Sequence, residues 1–422
     1  MSNLTQFYQS GQGAYNTCEV FYNSGTWTAP PGITRAMVLV WGGGGSGSSN
    51  NSGSTLSLGG GGGGFAQGIV ATTPGTGYTI TIGAGGAAVT PNNNGNAGGT
   101  SSFSTLLTAT GGGGGARNTN IMATGGTGSS SGTLWSKTAI GGGSNSVRAN
   151  GGNTNTCYGG GGMASGSPYG DGGVVRFTFN AGFGTGGSGW GGNSGNDAGT
   201  VNTITSALAT GGAGLQNAGS PTYGYICGAG GSHAQGPSGA ISSNASGVFT
   251  VPGGGSGAGF TANIQATYGG AWAHPDNSGE SRGSFFDIPS CSIVGAGGYS
   301  VYCNNNTAYP ISAGNGGPGG GGGCYLANFS NNGSPISAGS GGMGGGGGGI
   351  YSYSNIVANL GGPGGLGGGG GGACGNTSTS SQSHGGDGGK AGGGGGAANA
   401  ATSNGYSGMG GSGCVMIFYR AT

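Results

Sequence analysis

The chain carries very little charge. Of its 422 residues, 8 are Lys or Arg and 7 are Asp or Glu, which leaves a net charge of +1. Binding to nucleic acid depends largely on cations that neutralise phosphates, so we expect no nucleic-acid partner. Low charge does not indicate disorder here, because disordered chains combine high net charge with few aromatic residues. This chain contains 5 Trp, 17 Tyr and 13 Phe, and we expect them to be ordered.

Signals for membranes and export are also missing. No apolar run approaches the ~18 residues that indicate a membrane-spanning helix, and residues 1–17 lack the basic and apolar regions of a secretory signal. The chain shows no convincing helical period either. We therefore expect no membrane insertion and essentially no α-helix.

Catalytic motifs are missing as well. The chain has three histidines, His233, His274 and His384, and none accompanies a nucleophile motif such as G-x-S-x-G. The stretch 385–391 resembles a phosphate-binding loop, but Ala391 stands where Ser or Thr should follow the lysine. The few carboxylates are too dispersed for a general acid–base pair or a metal site. The sequence predicts a protein that is not an enzyme, with no cofactor and no bound metal.

Glycine dominates what is present. It accounts for 122 residues, in runs rather than at every third position, and Pro numbers 14, which excludes a collagen triple helix. A glycine run loses much backbone entropy on ordering, so its amides must find partners. The threefold helix of polyproline II geometry has no internal hydrogen bonds and points its N–H and C=O groups outward. Without Cβ atoms, such helices can approach and hydrogen-bond to one another, which predicts layers of polyglycine II helices.

Short segments rich in β-branched and aromatic residues predict β-strands. The strongest signal lies within residues 18–41, where an apolar run leads straight into a glycine tract, and residues 78–82 alternate Tyr or Ile with Thr. The other predicted strands are 65–71, 174–179 and 414–419. The predicted fold is all-β, with short strands as a base, glycine-rich polyglycine II layers and long loops.

The chain also repeats itself. Residues 95–112 match residues 195–212, and glycine tracts recur toward the C-terminus between polar and aromatic segments of different sequence. Uniform tracts with variable connectors predict rigid rods joined by surface loops. A rod of ten residues would span ~30 Å at ~3.1 Å per residue. The C-terminal tracts begin near Gly314, Gly339, Gly361, Gly385 and Gly408.

These features divide the chain into four parts. We predict an N-terminal attachment segment at 1–17 and a glycine-rich β domain at 18–300, which contains the internal repeat. A polyglycine tract-and-loop region follows at 301–413, and a closing strand of the glycine-rich domain at 414–422.

Several motifs resemble a known family. They are the segments 26–33 (TWTAPPGI), 41–45 (WGGGG), 78–86 (YTITIGAGG) and 99–103 (GTSSF), with the closing strand 414–419. Together they resemble the glycine-rich domain of bacteriophage tail fibres and related virion proteins. The C-terminal tracts and loops are similar to the distal-tip adhesins of T-even-type phages, whose tips stack polyglycine II helices and present variable loops to the host. The resemblance implies a virion location, exposed to the extracellular medium.

Eight cysteines are present, and none forms a C-x-x-C motif, which argues against zinc and thioredoxin-like sites. Five of them adjoin glycine tracts, where a thiol can link neighbouring rods in a protein with little apolar core. We favour disulfides formed after release into an oxidising exterior; the alternative is reduced, buried thiols. The candidates are Cys18, Cys157, Cys227, Cys291, Cys303, Cys324, Cys374 and Cys414.

Aromatic residues between the glycine tracts are the candidate binding residues. Tyr and Trp anchor adaptable binding surfaces; the alternative is that they cap the glycine tracts and supply the small apolar core. The candidate receptor-binding residues are Trp135, Trp272, Tyr325, Phe329, Tyr351 and Tyr353.

These observations favour a non-enzymatic virion protein, a phage tail-fibre or tail-tip component that recognises a host receptor through variable loops. The expected partners are other virion proteins, a host surface glycan or outer-membrane protein, and further copies of this chain, with a trimer among the options. One alternative is a purely structural decoration, collar or fibre protein stabilised by disulfides. A more distant alternative is a secreted ice-binding protein, which would need outward Ala or Thr at a regular three-residue spacing that the variable loops do not show.

Overall fold

The computed structural model is all-β, as predicted, and the residues that it describes include no α-helix. Those residues are 15–51, 56–117, 123–143, 158–168, 170–173, 335–352, 358–375, 382–399 and 405–421, with short segments between 175 and 327. The strands are β1 (Thr17–Phe21), β2 (Gly25–Thr28), β3 (Arg35–Trp41), β4 (Ser49–Asn50), β5 (Leu56–Ser57), β6 (Phe65–Ala71), β7 (Gly77–Thr81), β8 (Ser101–Phe103), β9 (Leu107–Ala109), β10 (Gly128–Ser130), β11 (Trp135–Ala139), β12 (Tyr158–Gly159), β13 (Val175–Arg176), β14 (Phe183–Gly184), β15 (Ser194–Gly195), β16 (Leu208–Ala209), β17 (Gln265–Thr267), β18 (Ser300–Cys303), β19 (Tyr325–Ala327), β20 (Ile336–Ser337), β21 (Ile350–Ser352), β22 (Ala358–Leu360), β23 (Ala373–Gly375), β24 (Gln382–His384), β25 (Ala397–Asn399) and β26 (Cys414–Tyr419).

The two ends of the described chain meet in one antiparallel sheet, of order β1-β26-β3-β6-β11. β26 lies between β1 and β3, so that Tyr419 faces Thr17 and Cys414 faces Trp41. β3 and β26 are buried along nearly their whole length, because apolar residues occupy both faces of each strand. The predicted strand 414–419 therefore completes the sheet that the N-terminal strands begin.

A second antiparallel sheet, of order β10-β9-β8-β7-β2, packs on one face of the first sheet. The Trp27 ring lies at the centre of the core between them, with its centroid 5.8 Å from that of Tyr78, 6.1 Å from Phe103 and 5.7 Å from Tyr419. The aliphatic residues of this core are Ile33, Val38, Val40, Val70, Ile80, Leu107, Val415 and Ile417. This sandwich is the largest apolar core in the described part of the chain.

Glycine tracts leave this sandwich and hydrogen-bond to one another with a period of three residues. In the tract 42–49, every third amide donates to the same neighbouring tract. The donors are Gly42, Gly45 and Ser48 to tract 58–64, Gly43, Ser46 and Ser49 to tract 93–99, and Gly44 and Gly47 to tract 408–411. Three bonding directions that repeat every three residues are those of the threefold polyglycine II helix.

The carbonyl groups of the same tract accept from three further tracts. Gly43 accepts from Gly112, Gly44 from Gly86 and Gly45 from Gly394. The tract 42–49 is therefore enclosed by six neighbours, which come from both the N-terminal and the C-terminal glycine-rich parts of the chain. Glycine is required for this spacing, because a Cβ atom on Gly45 would lie 2.0 Å from the carbonyl oxygen of Gly113. The predicted polyglycine II layers are present as a bundle bonded through its backbone.

Three of the five C-terminal tracts, those that begin near Gly339, Gly361 and Gly385, are hairpins, so the prediction of single rods of ~30 Å is wrong for them. Each tract reverses at a four-residue turn (342–345, 365–368 and 389–392), closed by a 2.8 Å bond from its last amide to its first carbonyl. The third turn residue has a left-handed backbone, with φ of 75° at Gly344, 77° at Gly367 and 66° at Ala391. This is the requirement of a type II turn. Each limb is therefore about half as long as its glycine tract suggests.

Successive hairpins bond to one another in register. Gly341 donates to Pro363, and Gly364, one hairpin further along the chain, donates to Asp387. Away from the turns the limbs continue into two parallel ladders, β19-β21-β23-β25-β4 and β20-β22-β24. We call residues 336–412 the hairpin array. The three turns 342–345, 365–368 and 389–392 lie at one end of it, and the strand ladders lie at the other end.

The last turn of the array, 389–392, lies against the first sheet. Ala391, in the last turn, packs in one apolar cluster with Met37, Leu39, Cys414 and Phe418. The base of short strands is thus present, as predicted, whereas the three hairpin tracts take the place of the predicted single rods. Of the internal repeat, the first copy contains β8 and β9; most of the second copy lies outside the described residues, with β16 near its end.

Candidate functional site

The end of the hairpin array away from the first sheet carries the variable segments. β21, β23 and β25 run parallel and end at Ser352, Gly375 and Asn399, and β22 and β24 bring the chain back at Ala358 and Gln382. Neighbouring strands are about 4.8 Å apart, so Ser352, Gly375 and Asn399 lie side by side. They are the last described residues before segments 353–357, 376–381 and 400–404. We call this end of the array the loop end. These three segments contain Asn, Ser, Thr, Ala, Tyr, Ile and Val, with no charged residue.

Trp135 is exposed, as a binding residue must be, but it lies far from the loop end in the fold. It begins β11, the edge strand of the first sheet, opposite Ile69 of β6, and 48% of its surface is accessible. Leu134 and Ile140 at the two ends of the same strand are also exposed. This edge contains Lys137, whose Nζ donates to the carbonyl of Pro168 at 2.7 Å. Lysine on an edge strand opposes pairing with another strand.

Tyr325 does not contact the exterior, so the prediction that it binds a receptor is wrong. It is 0% exposed, within β19, which pairs with β21. Its ring fills space in the interior, the alternative role that we considered for these aromatics. Tyr351 lies in β21 opposite Leu326 and Cys374, and its side chain is outside the described residues. Trp272, Phe329 and Tyr353 lie outside them too.

The cysteines divide into bonded and free thiols. Cys374 in β23 forms a disulfide, whereas Cys18 and Cys414 are free. For these last two the prediction of disulfides is wrong, because Cys18 faces Phe418 and Cys414 faces Trp41. Four residues separate the two positions along the sheet, roughly 13 Å, and a disulfide needs Cα atoms within about 7 Å. The remaining candidates, Cys157, Cys227, Cys291, Cys303 and Cys324, have side chains outside the described residues.

The two free thiols differ in environment. Burial raises the pKa of Cys414 to about 12, against a smaller opposing effect of Lys390. Cys18 is exposed on β1, and partial burial followed by the charge of Glu19 raises its pKa. Since the thiolate is the reactive form, accessibility makes Cys18 the more reactive of the two.

A row of outward side chains on the array was missed by the sequence analysis. Because a polyglycine II helix repeats every three residues, residues three apart share a face. The residues at this spacing, one limb after another, are Leu360, Pro363 and Leu366, then His384, Asp387 and Lys390, then Tyr406, Met409 and Ser412. Among them, Leu366 packs against the cluster of Ala164 and Trp190. Neighbouring limbs bring residues of this row into contact: the His384 and Tyr406 rings stack with centroids 5.6 Å apart, and Lys390 Nζ donates to Ser412 Oγ at 2.6 Å. The signal in the sequence was the recurrence of non-glycine residues at every third position.

A similar face is built from small side chains in two neighbouring tracts. Gly99 donates to the Ala84 carbonyl at 2.7 Å, and the Asn96 amide group donates to the Ala87 carbonyl at 3.0 Å. The exposed residues at three-residue spacing are Ala84, Ala87 and Thr90 on one tract and Asn94, Ala97 and Thr100 on the other. Outward Ala and Thr residues at a three-residue spacing, which the variable loops lack, are therefore present in residues 84–100.

One carboxylate is held inside the strand base. Glu19 Oε1 accepts a 2.7 Å bond from the Tyr419 hydroxyl and a 3.0 Å bond from Trp27 Nε1. Burial, the hydrogen bond to Glu19 and the charge of Glu19 raise the pKa of Tyr419 to about 12. This cluster joins β1, β2 and β26, which indicates a structural role for Glu19.

Among the described residues, no three His, Cys, Asp or Glu side chains are close enough together to hold a metal ion. The same part of the chain contains no helix that is long and apolar enough to cross a membrane.

Part of the chain is similar to a known protein family. Residues 19–225 match a family described as a glycine-rich domain, a segment that contains β2–β16 and most of β1. No curated protein matches the chain. The description of this family names the composition alone.

Proposed function

We propose that the chain is a non-enzymatic virion protein, a component of a phage tail fibre or tail tip that recognises a host-cell surface receptor through the segments between its polyglycine limbs. One observation carries the proposal: the parallel strands β21, β23 and β25 end side by side, at Ser352, Gly375 and Asn399, and a segment of different sequence follows each of them. A rigid glycine scaffold that presents adjacent segments of different sequence is the arrangement of a recognition surface.

The chemistry of these segments indicates the kind of receptor. Residues 353–357, 376–381 and 400–404 contain no ionisable side chain except that of Tyr353. Recognition there depends on Asn, Ser and Thr hydrogen bonds and on aromatic contact, as in other adaptable binding surfaces. A neutral surface glycan or an uncharged loop of an outer-membrane protein fits this chemistry. Other virion proteins and further copies of the chain would then bind elsewhere, away from the loop end.

Binding of the labelled protein to a panel of bacterial strains tests the proposal. In one variant, residues 353–357 are replaced by Gly-Ser-Gly-Ser-Gly; in matched variants, segments 376–381 and 400–404 are replaced in the same way. Met343→Ser is the control, because Met343 is exposed at the turn end of the same array. We expect a strain that binds the parent chain and the control, and at least tenfold weaker binding of one or more loop variants. Equal binding by all three loop variants, or binding to no strain, contradicts the proposal.

A purely structural virion protein is the second candidate, and the Cys374 disulfide favours it. A disulfide and a backbone-bonded glycine bundle both add durability without a receptor. Electron microscopy of virions labelled at the C-terminus separates the two candidates. A receptor-binding component must lie at a fibre or tail tip, whereas a collar or decoration protein lies along the particle.

An ice-binding protein is a third candidate, favoured by the exposed Ala and Thr residues of tracts 84–90 and 94–100. Inhibition of ice recrystallisation by the purified chain, abolished by Ala87→Lys, would support it. Gly25→Lys, at an exposed strand position in another part of the chain, is the matched control and should leave the inhibition unchanged. Absence of inhibition by the parent chain removes this candidate.

A further inference from the structure

Two polar side chains lie side by side in the interior of the loop end. Asn359 in β22 and Ser383 in β24 face each other in the parallel ladder, next to Ile336 in β20. Residues in register on neighbouring parallel strands project to the same side of a sheet. Asn359 and Ser383 are both 0% exposed, and the residues on either side of each are less buried. Both side chains therefore point into the array.

Within the part of the chain that the structure describes, neither side chain has a hydrogen-bond partner. Asn359 Nδ2, Asn359 Oδ1 and Ser383 Oγ are all buried and unpaired. An amide brings two donors and one acceptor, and a hydroxyl adds a donor and acceptors of its own. Buried polar groups in folded proteins almost always have a partner, because leaving them unpaired costs their full desolvation. Two adjacent residues in this state indicate a shared partner.

The chemistry of the pair limits what that partner is. Neither side chain carries a charge, and the described residues bring no cluster of acids or histidines to the site. A divalent cation such as Ca²⁺ takes about six to eight oxygen ligands, and a bound anion needs a positive charge. Water is small, neutral, and both donates and accepts; buried waters typically form about three hydrogen bonds.

We propose that Asn359 and Ser383 form an internal site for one ordered water molecule, which joins β22 to β24 beneath the loop end. The neighbouring position in the same ladder is apolar, since β20 has Ile336 there. At this register of the ladder, the interior of the array thus holds an aliphatic side chain on β20 and a hydrated pair of polar side chains on β22 and β24. The water would hold in register the two strands that follow segments 353–357 and 376–381.

A high-resolution crystal structure of the full chain tests the site directly. We expect density for one solvent molecule about 2.7–3.2 Å from both the Asn359 amide and Ser383 Oγ. Asn359 and Ser383 bonded to each other or to protein groups, without solvent density between them, would overturn the proposal.

Melting temperatures give a second, independent readout. Asn359→Leu and Ser383→Ala should each lower the midpoint, because each leaves the water and the remaining side chain short of a partner. The melting temperature of the double variant should fall by clearly less than the sum of the decreases in the two single variants, since the double variant removes the whole polar site. Additive losses, or a rise in midpoint for each single variant, would contradict a shared water.

Discussion

Alanine at a tract interior should destabilise the protein far more than alanine at an exposed glycine. Gly45 lies in the middle of tract 42–49; its amide donates to Gly61 and its carbonyl accepts from Gly394, both at 2.9 Å. A Cβ at this position would lie 2.0 Å from the oxygen and 2.6 Å from the carbon of Gly113, whereas ordinary contact begins at 3.4 Å. The obstructing atoms are backbone, so no side-chain rotation can relieve the overlap.

The magnitude follows from this geometry. Relief of the overlap requires Gly45 and Gly113 to separate by about 1.4 Å, which takes 2.9 Å hydrogen bonds beyond bonding range. Overpacking costs about 1–3 kcal/mol, and each lost backbone bond about 0.5–1.5 kcal/mol. If both backbone bonds of Gly45 are lost, Gly45→Ala should lower the free energy of unfolding by about 2–6 kcal/mol, less a gain of about 0.4–1 kcal/mol from the stiffer unfolded chain.

Gly25→Ala is the matched control. Gly25 lies in exposed β2, and a Cβ there meets nothing within 4 Å, so the same substitution should be neutral or slightly stabilising. Guanidinium unfolding of the parent and both variants, followed by tryptophan fluorescence, measures the difference. If Gly45→Ala unfolds at the same midpoint as Gly25→Ala, the close packing of the tracts is refuted.

Two further predictions concern the strand base. A maleimide reagent at pH 7 should label Cys18 in the native protein and leave Cys414 unlabelled until denaturant is added, because Cys414 is buried with a pKa of about 12. If Cys414 is labelled as fast as Cys18, its buried position in β26 is contradicted. Since the folded pKa of Tyr419, about 12, exceeds the value of about 10 in an unfolded chain, its contribution to stability is complete below pH 10 and is lost as the pH rises toward 12. Tyr419→Phe should be less stable than the parent at pH 7 by about 1.5–3 kcal/mol, because it loses the hydrogen bond to Glu19. Between pH 10 and 12 the variant should lose less stability than the parent. Parallel profiles of stability against pH in this range would contradict the environment assigned to Tyr419.

The strand base was predictable because its side chains carry a pattern. Alternation in residues 78–82 and the apolar run of 414–419 indicated β7 and β26 to within a residue or two, whereas the signal within residues 18–41 covers β3 together with β2 and most of β1. The recurrence of C-terminal tracts was also visible, because interrupted glycine runs repeat at similar intervals. Both are local signals that depend on residue type.

The hairpin turns were not predicted, because a uniform glycine run does not show where one limb ends and the turn begins. The turn centres are occupied by Met343-Gly344, Leu366-Gly367 and Lys390-Ala391. In the sequence each looks like a chance interruption of a glycine tract, unless its spacing of three residues from other non-glycine residues is noticed. The candidate site was harder still. An aromatic residue beside a glycine tract can point inward or outward, and only the position of Tyr325 inside the ladder decides that it is buried.

Hydrogen exchange of the tract amides tests most directly whether glycine is the scaffold of this protein. Every amide of tract 42–49 donates to another segment of the chain, at 2.8–3.1 Å. Mass spectrometry of peptides that cover residues 42–49 should therefore show exchange as slow as in β3, which lies in the apolar core. Exchange of these amides at the rate of a flexible glycine linker, while β3 stays protected, would contradict the account.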